Sequence, residues 1–367
     1  MMQKEKTTLE EFLQEWNNGN DRVLVHTSGS TGTPKPLWVE KRRMETSART
    51  TCDFLGLQEG DTALLCLPLN YIAGKMMVVR ALVRKLRLVC VEPSGHPLKL
   101  PSCPSSEGGK SEITFAAMVP MQVWNSLQVP EERERLRSIR HLIIGGGAID
   151  ETLAAKLKDF PNAVWSTYGM TETLSHIALR RLNGPEASDW YTPFDGVTVA
   201  LNDEHCLVID APQVCAERLV TNDIAELLPD GRFRILGRRD NVVCSGGLKI
   251  QMEEVERLLR PYLTVPFMVT KKNDPALGEA VVLLYEDSPT SGTRGETGLS
   301  ATNGLTEEDL SSVCRRVLPD HWAPRHYVAV SHLPMTPTGK PARAEAMRVA
   351  AVSPRDRSRE LQESSRR

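Results

Sequence analysis

Thr62-Ala63-Leu64-Leu65-Cys66-Leu67 and, further on, Leu86-Arg87-Leu88-Val89-Cys90-Val91 decide the fold class. Each is a short apolar run with the length of a buried strand. Between them Met76, Val79, Ala81 and Val83 lie on an intervening helix. Strand, helix and strand in that order make a βαβ unit, whose two strands pair side by side in parallel.

The alternation continues outward. Upstream, Val23-Leu24-Val25 reads as a strand, and Met44, Ala48, Cys52 and Leu55 recur at helical spacing. Downstream, strands are expected at 113–119, 140–144 and 163–166, with helices at 120–128, 131–138 and 151–160. Such alternation favours a mainly parallel sheet covered by helices, an α/β fold. Past Gly237 the pattern changes to a helix at 252–260, strands at 265–270 and 279–285, a helix at 306–317 and a strand at 326–332. The expected organisation is a large α/β domain over 1–236 and a small α+β domain over 237–351. Residues 288–303 are dense in Ser, Thr and Gly, and 352–367 are charged and almost free of apolar side chains, so a floppy loop and a disordered tail are expected there.

A length of 367 residues exceeds the size at which one core stops growing, which agrees with two domains. Forty per cent apolar and 25% charged residues are ordinary globular values, and a formal charge of −2 gives no polyanion-binding surface, so nucleic acid is not an expected partner. The 8 cysteines form no Cys-x-x-Cys pair and no cluster with His at zinc spacing, the usage of a reduced compartment. Residues 1–16 lack an apolar signal core and no apolar run is long enough to span a bilayer, so the expectation is a cytoplasmic protein with no membrane anchor.

Three runs carry the chemistry. Thr27-Ser28-Gly29-Ser30-Thr31-Gly32-Thr33-Pro34-Lys35 packs hydroxyls, glycines and a lysine directly after a strand, which suits a polyphosphate. It is not the Gly-x-x-x-x-Gly-Lys-Ser/Thr loop, because Lys35 stands at the wrong spacing, and taken alone a Ser/Gly surface turn reads equally well. Gly145-Gly146-Gly147-Ala148 ends a strand, where missing side chains let a flat ring approach backbone. Tyr168-Gly169-Met170-Thr171-Glu172-Thr173 follows another strand.

Taken in order with Thr221-Asn222-Asp223, Gly237-Arg238-Arg239-Asp240-Asn241 and Pro334-Met335-Thr336-Pro337-Thr338-Gly339-Lys340, these runs resemble the ordered signatures of the adenylate-forming superfamily. That superfamily includes acyl-CoA synthetases, adenylation domains of peptide synthetases and luciferases. The matching region runs from Thr27 to Arg343. The resemblance implies an ATP- and Mg²⁺-dependent ligase that converts a carboxylic acid to its acyl-adenylate and passes the acyl group to the thiol of CoA. It implies that Thr27 to Lys35 hold the β- and γ-phosphates, that Gly145, Gly146, Gly147, Tyr168 and Gly169 embrace adenine, and that Thr171 meets the α-phosphate. Glu172 would ligate Mg²⁺, and Asp223, assisted by Arg238, would accept from the ribose hydroxyls.

Lys340 is the expected catalytic cation. A carboxylate attacking an α-phosphate brings two anions together, and an ammonium bridging them stabilises the charge that develops. In relatives the small domain pivots near the position of Asp240, withdrawing the lysine so that a thiol can approach. Gly246-Gly247 lies where backbone would line the thiol channel, and a plain β-turn is an equal reading of that pair.

Two departures from the superfamily stand out. Its members carry well over a hundred residues ahead of the phosphate loop, which here begins at Thr27, so the large domain is expected to be N-terminally abbreviated, and an apolar face left open would favour a homodimer. In Leu67-Pro68-Leu69-Asn70-Tyr71-Ile72-Ala73-Gly74, Tyr71 occupies a position that is His in many relatives.

Compact length, the Tyr168 to Thr173 run, and Ser245-Gly246-Gly247-Leu248-Lys249-Ile250-Gln251 leading into Glu253-Glu254-Val255-Glu256 look most like the 2-succinylbenzoate:CoA ligases of menaquinone synthesis. Such an acid has a second carboxylate to neutralise. Tyr71, Lys75, Arg80 and His176 are the candidates by position, although Lys75 and Arg80 read equally as solvated helix charges. Other aryl- or acyl-CoA ligases, a carrier-protein-loading adenylation enzyme and a nucleotide-binding regulatory protein are the competing functions.

Overall fold

The computed structural model describes residues 7–26, 36–99, 113–286, 306–336 and 341–351. The described residues form two compact units: the first holds those up to Thr221 together with Ala225–Arg234, and the second holds Asn222–Ile224 and those from Ile235 onward.

The first unit opens with helix α1 (Leu9–Asn17), which starts at Thr8 because its hydroxyl accepts from Glu11 N while the Glu11 carboxylate accepts from Thr8 N. Strands β1 (Arg22–His26) and β2 (Pro36–Glu40) pair antiparallel as a sheet of their own, and α2 (Lys41–Phe54) follows. The chain then alternates through β3 (Thr62–Leu65), α3 (Ile72–Arg84), β4 (Arg87–Cys90), β5 (Phe115–Met118), α4 (Pro120–Gln128), α5 (Pro130–Ser138), β6 (His141–Ile144), α6 (Glu151–Leu157) and β7 (Ala163–Gly169). Pro120 and Pro130 each open a helix, where the missing N–H costs nothing. Asp150 caps α6 by accepting from Leu153 N at 2.8 Å.

After β8 (His176–Arg181) and β9 (Thr192–Pro193), the large sheet has the order β4-β3-β5-β6-β7-β8-β9. β4 to β7 are parallel, and β8 and β9 add antiparallel. The expected α/β class is therefore the observed one. β3 and β5 are buried along their whole length, with Leu64 and Phe115 fully enclosed. Each such side chain contributes roughly 1.5–3 kcal/mol. β7 runs on through Gly169, so Tyr168 and Gly169 finish the strand instead of following it, because antiparallel β8 gives the extra residues a partner.

A second sheet has the order β10 (Thr198–Leu201), β11 (Cys206–Asp210), β12 (Leu219–Leu227) and β13 (Phe233–Arg238). The second unit continues with β14 (Val242–Ser245), β15 (Leu248–Gln251), α7 (Met252–Leu259), β16 (Phe267–Asp274), β17 (Gly278–Glu286), α8 (Glu307–Val317), β18 (His326–Val330) and α9 (Arg343–Ala351). Its sheet runs β15-β14-β17-β16, with β18 parallel to β17. Val255, Leu259, Val281, Leu283 and Leu310 close one core, and Val282 and Leu284 on the opposite face pack with Ala346 and Ala350. Among the described residues no helix is long and apolar enough to cross a membrane.

Candidate active site

In the first unit the site grows from the ends of β6 and β7. Their parallel register sets Ile144 beside Ser166, so Gly145 follows alongside Thr167, while Gly146 and Gly147 come against Val119 and Pro120. A Cβ at Gly145 would stand 2.3 Å from Thr167 Oγ1. Gly146 adopts φ +79°, which a side chain rarely tolerates. Gly146 and Gly147 are exposed, leaving bare backbone open to a flat ring. Tyr168 is held by an edge contact to Phe233 at 5.1 Å and by Tyr191 at 5.8 Å. Tyr191 in turn bonds Ser166 at 2.7 Å.

The turn between β7 and β8 is fixed by one side chain. The buried Thr173 hydroxyl accepts from Met170 N at 3.0 Å and lies 3.0 Å from Met170 O and 2.7 Å from Ser175 O. Leu174 takes φ +65°, a strained value for a side-chain-bearing residue that persists because its surroundings enclose it. Gly169 must be glycine: a Cβ would meet Ser175 O at 2.3 Å. Thr171 comes out buried and Glu172 exposed. No group of three metal-ligating side chains exists among the described residues. A lone exposed carboxylate suits Mg²⁺, which keeps its waters and takes most other ligands from substrate phosphates.

β8 leads the chain from that turn back toward α2 and α3. Arg80 on α3 is only 2% exposed, so the solvated reading of this residue is excluded. Its Nη2 donates to Ser175 Oγ at 2.5 Å and to Thr51 Oγ1 at 3.4 Å. Among the described residues its Nε has no partner and no carboxylate pairs with it. Burial pushes its pKa down to about 10, so it stays charged at neutral pH. His176, also buried, bonds Thr51 through Nε2 at 3.1 Å and Ser175 through Nδ1 at 3.2 Å. Burial first, and the Arg80 charge second, hold His176 well below the ordinary histidine pKa, so it is neutral.

Lys75 is buried too, but its ammonium is committed to Glu15 at 2.8 Å and lies over the Phe12 ring at 4.8 Å. Of the four positional candidates, Arg80 and His176 come together, Lys75 is neutralised by α1, and Tyr71 stands at the N-terminus of α3.

In the second unit Arg238 bridges Asp223 at 3.1 Å and Asp240 at 3.2 Å. Asn222 Nδ2 donates to Asp240 at 3.1 Å, and Gln251 Nε2 donates to the Arg238 carbonyl at 3.0 Å. Asp240 sits in a single 3₁₀ turn, Arg239–Asn241. Gly246 and Gly247, at φ +57° and +85°, form the two-residue loop between β14 and β15. The hairpin alone accounts for that glycine pair.

The run from Thr27 to Lys35, Lys340, and the expected loop and tail at 288–303 and 352–367 lie outside the described residues. Sequence reasoning missed Thr51 and Ser175. Their only signal was proximity: Ser175 directly precedes His176, and Thr51 lies on the α2 stripe next to Cys52.

Residues 3–214 match the family model described as AMP-binding enzyme. The chain is 24% identical to a linear gramicidin synthase of Brevibacillus parabrevis over 86% of its own length, but spans only 7% of that protein. It is 27% identical to the 2-succinylbenzoate–CoA ligase of Bacillus licheniformis, over 87% of this chain and 68% of the relative. A solved acyl-CoA synthetase (AMP-forming)/AMP-acid ligase II-like protein from Dyadobacter fermentans superposes with a TM-score of 0.57 at 30% identity, covering 92% of each chain. O-succinylbenzoate coenzyme A synthetase from Bacillus subtilis, solved with ATP and magnesium, superposes with a TM-score of 0.69 at 21% identity over 88% of this chain and 69% of that one. Because the matching family model covers more than half of the chain, from β1 through the whole large sheet, the chain belongs to the AMP-binding enzyme family.

Proposed function

We propose that this protein is an ATP-dependent acid:CoA ligase that makes an acyl-adenylate and then an acyl-CoA thioester, and that its acid carries a second carboxylate, as 2-succinylbenzoate does. The observation that carries the choice of acid is Arg80. An enclosed cation with an orphaned Nε and no carboxylate among the described residues costs several kcal/mol of desolvation unless a ligand compensates it. A substrate carboxylate reaching it would take charge-assisted bonds from the guanidinium. Support for the class comes from the family and from the named ligases it resembles.

Each residue then has a task. Gly145 to Gly147 and Tyr168 take the adenine, Thr171 the α-phosphate, and Asp223 with Arg238 the ribose hydroxyls. Thr27 to Lys35 take the terminal phosphates, and Lys340 holds the attacking carboxylate against phosphorus. Glu172 would hold magnesium, which would supply charge neutralisation on the phosphate oxygens. Asp240 is the pivot and Gly246-Gly247 the backbone beside the thiol.

Likeness to a gramicidin synthase favours one second reading, an adenylation enzyme that loads a carrier protein. A pyrophosphate-release screen over aromatic, dicarboxylic and fatty acids, with 2-succinylbenzoate included, followed by mass analysis of products with free CoA, tests the proposal. A thioester of CoA with a two-carboxylate acid is expected. Turnover that prefers monocarboxylic acids, or adenylate that never reaches free CoA, contradicts it.

A further inference from the structure

Hydrogen-bond capacity around Arg80 fixes one direction for every proton in the cluster. The Thr51 hydroxyl lies 3.1 Å from the Ser47 carbonyl, which can only accept, so Thr51 spends its single proton there. Thr51 Oγ1 then has only lone pairs for His176 Nε2 at 3.1 Å, and Nε2 must carry the imidazole proton. A neutral ring with its proton on Nε2 leaves Nδ1 as an acceptor. The partner of Nδ1 at 3.2 Å is Ser175 Oγ, which therefore donates its proton to the ring and turns a lone pair to Arg80 Nη2 at 2.5 Å. The chain of donors runs Arg80 to Ser175 to His176 to Thr51 to the Ser47 carbonyl. Phe194, its ring 5.5 Å from the imidazole, closes the side of His176.

We infer that His176 is a positioning residue: held with its proton on Nε2, it aligns the Ser175 hydroxyl as an acceptor for one arm of Arg80 and leaves the Nε of Arg80 for an anionic ligand. This rests on reading Arg80 as the site of the second carboxylate. A neutral imidazole here has a specific consequence. It orients the guanidinium without compensating its charge, whereas a carboxylate in the same place would silence the site by pairing with Arg80 itself.

The test has an arm that needs no substrate. Long-range ¹H–¹⁵N spectra of the full chain, with His176 assigned through His176→Asn, are expected to show an unprotonated Nδ1 and a protonated Nε2 at neutral pH. Ser175→Ala should shift the Nδ1 resonance. The Arg80 Nε–H resonance should move in His176→Leu and return in His176→Asn, whose amide oxygen replaces the Nδ1 acceptor. In turnover, His176→Leu is expected to raise KM for the two-carboxylate acid about ten-fold, the size of one lost bond to a charged group, with KM for ATP unchanged and His176→Asn within about three-fold of wild type. A proton on Nδ1, an imidazolium, or equal behaviour of the Leu and Asn variants overturns the inference. Failure of every acid to turn over would overturn the ligase reading instead, and the spectra would still decide the role of His176.

Discussion

Arg343 grips Glu256 with both guanidinium arms, at 2.6 and 2.8 Å, while also donating to the Val269 carbonyl at 2.5 Å. Glu256 completes the clamp by accepting from Val269 N at 2.8 Å. The pair ties the first residue of α9 to α7 and β16, and both side chains are largely buried. Breaking such a pair from one side strands a charge. Glu256→Gln should therefore cost about 3–5 kcal/mol, seen as a lower urea midpoint for the transition of the second unit. A change of under about 1 kcal/mol would mean the pair behaves as an exposed one.

Arg80 makes the opposite trade. Its charge is enclosed without a carboxylate among the described residues, so Arg80→Met should raise the thermal midpoint of the ligand-free protein. The same variant should raise KM for the two-carboxylate acid at least about thirty-fold, about 2 kcal/mol. Affinity for ATP should not follow. A variant that loses stability and keeps its acid affinity would make Arg80 structural.

The depressed pKa of His176 gives stability a pH dependence with a definite sign. In the unfolded chain this group protonates near its ordinary value of 6.5, while the folded protein keeps it neutral to lower pH. Below that value the unfolded state binds the extra proton, so stability falls as pH falls, by up to about 1.4 kcal/mol per unit. Above it the group contributes no slope. Urea unfolding between pH 7 and 5 should show a shallower decline in His176→Asn than in wild type, and parallel curves would remove His176 as the source.

Gly169→Ala tests the turn. The new Cβ would crowd Ser175 O at 2.3 Å, and backbone has to move to accept it. A destabilisation of about 1–3 kcal/mol and a loss in kcat are expected, because Thr171 and Glu172 ride on the same turn. Retention of wild-type kcat would separate the turn from the chemistry.

Much of the large sheet was legible because β3, β5 and β6 are buried runs whose apolar residues are contiguous. β10, β12 and β13 were not, since their burial is irregular and no clean alternation survives in β12, whereas β11 is a contiguous buried run, Cys206 to Ile209, that stands alone between them. Helix α1 escaped notice although Thr8 and Glu11 spell its capping box, because its charged face was read only for the lack of a signal core. α9 is short and carries a weak apolar stripe. Position alone pointed to Arg80, but not to its enclosure. The structure shows Gly74 through Ala81 buried on every side of α3, and the sequence counterpart is the unbroken apolar run Met76-Met77-Val78-Val79 before Arg80 and Ala81-Leu82-Val83 after it, which leaves the helix no polar face for a cation. Nothing in the sequence set Lys75 apart from Arg80, because the carboxylate that neutralises Lys75 comes from Glu15, sixty residues away in the chain.

The most direct measurement is acid-dependent exchange of labelled pyrophosphate into ATP, compared between wild type and Lys340→Ala. The account predicts exchange that requires the acid, and a fall of at least about a hundred-fold in the variant, roughly 2.7 kcal/mol of lost transition-state stabilisation, with nucleotide binding retained. Exchange that proceeds at the wild-type rate without the Lys340 ammonium, or that never depends on an acid, would contradict it.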